Sequence, residues 1–162
     1  MFNIGQKIHE RMRRQEGALE FLWDLLQEEF ALLRAGKPDE IAACELSIQE
    51  LLRQLACEKE DLRLFLEQYV PGSEGVRSAL ACLPDSEARQ VLPLISSVQQ
   101  KEQDCARQAA MNADLALALQ EQSMQMLNFF RAQVMPKEEN VYSADARMYS
   151  RTRTPALLSA RY

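Results

Sequence analysis

At 162 residues, with 47% hydrophobic and 27% charged side chains and a net charge of −5, the chain has the material for one domain with a core and a solvated surface. Five glycines, six prolines and an abundance of Ala, Leu, Glu, Gln and Arg exclude a turn-rich β-protein and favour long helices. Five basic against three acidic residues after position 135 put the tail at +2 and leave the body at −7, which excludes a phosphate backbone as the main partner and points to no nucleic acid.

The first helix is expected over about residues 4–34. Ile8, Met12, Leu19, Leu22, Leu26, Phe30 and Leu33 recur at three- and four-residue steps, skipping polar Gln15, while Arg11, Arg13, Arg14, Glu16, Glu20 and Asp24 fall mostly off that stripe. Gly17 interrupts the pattern, either to admit a close neighbour or as a tolerated residue costing about 1 kcal/mol against Ala. Ala35-Gly36-Lys37-Pro38-Asp39 then ends one helix and starts another. Gly36 suits a left-handed C′ position, Pro38 cannot continue the helix, and so short a link folds the next helix back as an antiparallel hairpin.

The second helix is expected over about 39–69, carried by Ile41, Cys44, Ile48, Leu51, Leu55, Leu62, Phe65 and Tyr69 in a heptad-like step. Glu58 occupies an apolar position of that seam, which predicts a splayed, wet stretch, since a buried unpaired carboxylate is costly. Val70-Pro71-Gly72-Ser73 breaks the pattern, and a short helix over about 73–82 follows, stopped near Pro84-Asp85.

The third long segment begins with Asp85 or Ser86 as N-cap. Pro93 predicts a kink or a separate short helix before it, and from Leu94 to about Val134 the pattern is helical. Its inward set is Val98, Cys105, Ala109, Ala116, Leu119, Met126 and Phe130, with Glu102, Asn112 and Ser123 in register. After Asn112 large apolar residues crowd several faces: Leu115, Leu117, Leu119, Met124, Met126, Leu127, Phe129, Phe130, Val134 and Met135. Such a surface is a wider core contact, a dimer seam or a partner site, and flexible methionines suit surfaces that repack around partners.

Periodicity is lost after Pro136, where a polar, Ser/Thr/Arg-containing segment predicts a flexible tail with Tyr142, Tyr149, Tyr162 and Leu157-Leu158 as docking points. The expected architecture is therefore all-α. It has a long antiparallel helical hairpin, a third long helix in a three-helix, coiled-coil-like bundle, one short connecting helix, a bundle domain over 1–135 and a tail over 136–162.

Catalytic chemistry is not legible. His9 is the single histidine, in a part of the first helix expected to be exposed, and no Ser/His/Asp or Cys/His set, P-loop, GxGxxG or HExxH is present. Paired carboxylates such as Glu28-Glu29, Glu58/Asp61 and Glu138-Glu139 read as solvated faces, and the Glu-x-x-His motif of carboxylate di-metal bundles is missing. Cys44, Cys57, Cys82 and Cys105 lack metal-ligand spacing and read as free, buried thiols of a reducing cytoplasm. No secretory n- and h-regions open the sequence, and no apolar run approaches a membrane span. The expectation is a cytoplasmic protein that is not an enzyme and uses no cofactor or metal.

Several stretches resemble the FlgN family of flagellar type III export chaperones. In the first hairpin these are Leu25-Leu26-Gln27-Glu28-Glu29-Phe30, Leu33, the Gly36-Lys37-Pro38-Asp39 turn and Ile41. Leu51-Leu52, Leu55 and Arg63-Leu64 follow in the second helix, Asn112 with its leucines and methionines in the third, and Tyr142-Ser143-Ala144-Asp145-Ala146-Arg147 in the tail. Two positions depart from the family pattern: Ser47-Ile48-Gln49-Glu50 supplies no lysine before the paired leucines, and Ala146 stands where a glycine is usual.

The resemblance implies a chaperone that binds the C-terminal helices of hook–filament junction proteins and keeps them unassembled before export. It also implies docking through a tail tyrosine on the flagellar export gate, a peripheral and not an integral membrane contact. The part of the chain that such chaperones use for clients coincides with the crowded apolar stretch. Leu115, Leu119, Met126, Leu127, Phe129, Phe130 and Val134 are accordingly the expected client-binding residues, and Tyr142 the gate-docking residue. The alternative is a self-associating structural coiled coil with no client, in which the same patch is a homodimer seam.

Overall fold

The computed structural model describes residues 3–73, 75–134, 138–142 and 148–152. Its elements are α1 (Ile4–Ala35), α2 (Pro38–Tyr69), α3 (Val76–Leu80), α4 (Asp85–Val134), β1 (Glu138–Tyr142) and β2 (Met148–Thr152). Packing divides the chain into two compact units, Met1–Leu115 and Ala116–Tyr162, so α4 contributes to both.

In the first unit α1 is the central helix. Its stripe of Ile8, Met12, Leu19, Leu22, Leu26 and Leu33 is buried as the spacing predicts, and Phe30 is half-buried. Cys44 Sγ of α2 donates to Leu25 O at 3.4 Å, and Arg14 reaches Glu58. Partners far along one helix thus meet partners early in the other, so α1 and α2 are antiparallel. Against α4 the numbers rise together: Gly5 with Glu87, Glu16 with Ser97, Leu19 with Cys105, Leu26 with Asn112. These two helices run parallel, and the unit is an up-down-up bundle.

The ends explain themselves locally. Asn3 Oδ1 accepts from Gln6 N at 2.8 Å, and Glu87, from the first turn of α4, accepts from Gly5 N at 3.1 Å. A Cβ on Gly5 would overlap the Glu87 side chain, so glycine admits the start of α4 against α1. Gly36 closes α1 with φ 65°, and Pro38 opens α2 at its first position, where no N–H is needed.

Several expectations change in the folded chain. Glu58 lies at a solvent-accessible opening of the α1–α2 seam and is not unpaired there: Arg14 Nε and Nη2 donate to both its oxygens at 3.1 Å. Gln15, skipped in the stripe, is buried, and its Nε2 has no partner, an omission of about 1–3 kcal/mol. Open space surrounds Gly17, so it admits no close neighbour. Tyr69 is exposed at 40% with its ring 4.8 Å from that of Phe65. The short helix is confined to Val76–Leu80. Pro93 makes no separate helix, since α4 continues through it. Of the four free cysteines only Cys44 and Cys105 are buried, whereas Cys57 and Cys82 are exposed.

In the second unit β1 and β2 pair antiparallel, with Val141 opposite Tyr149 and Tyr142 opposite Met148. The segment read from sequence as a flexible tail therefore contains a short hairpin. Met135, Pro136, Ser143, Ala144, Asp145, Ala146, Arg147, Leu157, Leu158 and Tyr162, named above, lie outside the described residues.

Candidate interaction surface

The buried seam of α4 runs through Val91, Leu94, Ile95, Val98, Cys105 and Gln108 and ends at Asn112. A polar knot closes it. Asn112 Nδ2 donates to Leu26 O at 2.8 Å and to Glu29 at 2.6 Å. Gln108 Nε2 donates to Asn112 Oδ1 at 2.9 Å, and Gln27 Nε2 donates to Gln108 Oε1 at 2.8 Å. With both partners present at each step these buried amides are satisfied, and they fix the α1–α4 register where apolar packing stops.

Beyond the knot the inward set expected from periodicity is not covered. Ser123, Met126 and Phe130 are exposed, as is Ala109 one turn before Asn112, and Leu115, Ala116 and Leu119 are half-buried. Leu117, Met124, Met126, Leu127, Phe129, Phe130 and Val134 stand between 46% and 61% exposed. At about 100° per residue, Leu115, Leu119, Met126 and Phe130 share an arc of about 60°, Leu127 and Val134 extend it on one side, and Phe129 on the other. Leu117 and Met124, seven residues apart, lie on the opposite side. The rings of Phe129 and Phe130 meet edge to face, with centroids 5.9 Å apart. Only Glu121 and Arg131 carry charge between 116 and 134. A helix this apolar, exposed and nearly uncharged has the chemistry of a protein-docking surface.

The structure thus places Leu115, Leu119, Met126, Leu127, Phe129, Phe130 and Val134 on one helical segment, most of them solvent-accessible. Tyr142 is in β1, at the end of the strand next to the connection to β2.

Sequence reasoning missed a second apolar feature. In the first unit α2 and α4 stand apart over part of their length, leaving a groove of about 510 Å³. Leu19, Leu22 and Leu26 of α1 form its floor; Leu52 and Ala56 line one wall, and Ala106 and Ala109 the other. The signal was present as apolar residues just off the predicted stripes, but periodicity gives a face, not the spacing between two helices.

Among the described residues no cluster of His, Cys, Asp or Glu is arranged to hold a metal ion, and no helix is long and apolar enough to cross a membrane. Burial raises the Cys44 and Cys105 thiols above the usual range, away from the thiolate a nucleophile needs. The arrangement can bind; it assembles no catalytic constellation among the residues described.

Compared with known protein families, residues 1–150 match the FlgN protein family. The chain belongs to the FlgN family. This is the family of flagellar export chaperones. No curated protein and no solved structure matches the chain. For a FlgN-family chain, a helical bundle that leaves one end of its longest helix apolar and uncovered is an arrangement suited to holding another polypeptide.

Proposed function

We propose that this FlgN-family protein is a cytoplasmic export chaperone that holds the C-terminal helices of hook–filament junction proteins on the far end of α4. It prevents their premature assembly and brings them to the flagellar export gate, with Tyr142 as the gate-docking residue. The observation that carries this reading is the run of large apolar side chains on α4 beyond Asn112, left exposed by the bundle. An amphipathic client helix laid along Leu115, Leu119, Met126 and Phe130 would cover them, with Leu127, Phe129 and Val134 at its margins.

The test is binding of C-terminal junction-protein segments to the full chain and to the double variant Met126→Ala/Phe130→Ala, read by light-scattering chromatography and calorimetry. The expected result is a stoichiometric complex with the parent chain, at least about tenfold weakened in the variant, which is about 1.4 kcal/mol. The variant should keep its helix content, because both side chains are more than half exposed. Undiminished binding, or a variant that loses its fold, would remove this surface from the account.

A further inference from the structure

Within the first unit, the end of the bundle nearest α3 carries an open cleft of about 830 Å³ between α2 and α4. Met12 and Gln15 of α1 lie in its floor, Leu62 and Leu66 form one wall, and Ile95 and Val98 the other. It has the size and mostly apolar lining of a ligand site, about 300–1,000 Å³. Two polar groups in it lack partners. Gln15 is 3% exposed and its Nε2 donates to nothing, so an acceptor oxygen is wanted at the floor. The other is a cation. Of the three that line the cleft, Lys59 is held by Glu102 and Arg63 by Glu60 and Glu67. Arg77, exposed in α3, has no ion-pair partner among the described residues.

Apolar walls, a buried amide donor and an unpaired guanidinium together select an occupant with apolar side chains, an oxygen that reaches the floor and a carboxylate at the rim. The cleft is open along one side, so a small solute would stay largely in water, whereas a polypeptide segment lying along it covers the walls. Residues 153–162 of this chain do not qualify: they carry Arg153 and Arg161 and no acidic residue, the same sign as Arg77.

We propose that this cleft is a second client subsite, which takes an acidic amphipathic segment of the exported protein: its apolar side chains enter between Leu62, Leu66, Ile95 and Val98, an oxygen accepts from Gln15 Nε2, and a carboxylate meets Arg77. The subsite rests on the proposed function, since it takes the same client at a place separate from the end of α4. Two linked contacts on one client hold it more tightly than either alone, because the second forms within a complex already made. Gln15 is then a group left unsatisfied in the empty chaperone and satisfied in the loaded one.

The test is calorimetric binding of C-terminal junction-protein segments to the full chain and to Gln15→Leu and Arg77→Ala, with urea unfolding of each free protein. Gln15→Leu is expected to raise the urea midpoint, since it removes a buried donor without a partner, and yet to weaken binding at least about tenfold. A purely structural glutamine would move the midpoint alone. Arg77→Ala should weaken binding about fivefold at low salt, with the difference fading at high salt. Changing the segment's acidic residues singly to their amides should find one whose loss adds nothing to that of Arg77→Ala. Either variant binding as the parent does would overturn the subsite, while the proposed function would stand on its own test at Met126 and Phe130. A lowered midpoint for Gln15→Leu would also overturn it, by making Gln15 a prop of the bundle. A parent that binds no segment would remove the subsite and the client reading together.

Discussion

Cys44 and Cys105 show how single side chains tie the flanking helices to α1. Each donates its thiol to a carbonyl that already serves the α1 ladder, Cys44 to Leu25 O at 3.4 Å and Cys105 to Leu19 O at 3.5 Å. Burial raises both thiols, and the carboxylates of Glu28 (beside Cys44) and Asp104 (beside Cys105) add to the effect. Cys57 and Cys82 lie in the open. A thiol reagent at neutral pH should therefore modify two cysteines of the native chain quickly, mapped by peptide mass to positions 57 and 82. Cys44 and Cys105 should react only after denaturant is added; fast modification of all four would contradict the packing described. Spacing shows that the cysteines form no CxxC or Cys/His pair of metal-ligand type. Which of them is buried depends on where α2 and α4 face α1.

Asn112 belongs to the same scale. From sequence it reads as a polar interruption in an apolar register. In the fold it is a buried amide with three partners, and removing it would leave the Gln108 Nε2 donor and the Glu29 carboxylate without that partner at the edge of the core.

Helices rise or fall on their ends, and the turn from α1 into α2 was legible, whereas Asp85 and Ser86, expected as caps, lie inside α4. Gly36 takes φ 65°, with its N–H directed to Leu33 O at 3.2 Å and that of Lys37 to Leu32 O at 3.3 Å. Nothing crowds the position, so Gly36→Ala meets only the left-handed backbone penalty, about 1–2 kcal/mol. Urea unfolding of that variant should show a lower midpoint with an unchanged slope. A midpoint equal to the parent's would mean that the turn relaxes without cost. The far end of α4 is the opposite case. Its apolar residues obey helical spacing, yet spacing cannot say whether a neighbour is there to cover them, and among residues 116–134 none is buried.

At the scale of the whole molecule, the charged surface sets the response to acid. The Arg53 guanidinium, hydrogen-bonded to Glu50 and helped by Gln54, holds that carboxyl down at about 2. Lys101 lowers Glu20, Lys7 lowers Glu10, and Arg63 lowers Glu60, each chiefly through a side-chain hydrogen bond. A carboxyl lowered in the folded chain contributes stability above the unfolded value near 4.3, and that contribution disappears as pH falls through the folded value. Melting temperature should accordingly be nearly level from about pH 8 to 5 and decline from about pH 5 towards 2. These groups are solvent-exposed, so the decline should be gradual and smaller in high salt. A melting temperature that rises on acidification would reverse the sign and refute the assignment.

The sequence by itself determined the long helices, the hairpin turn at Gly36 and Pro38, the stripe that makes α1 a core element, and the family to which the chain belongs. These follow from local rules: a 3.6-residue period, a glycine where φ is positive, a proline where no N–H is required. Tertiary structure alone decided the rest. It paired Glu58 with Arg14, put Gln15 and Asn112 inside, left Cys57 outside, and opened a groove between α2 and α4. Those outcomes depend on distances between helices far apart in the chain, and a periodic pattern records which way a side chain faces without recording what stands opposite.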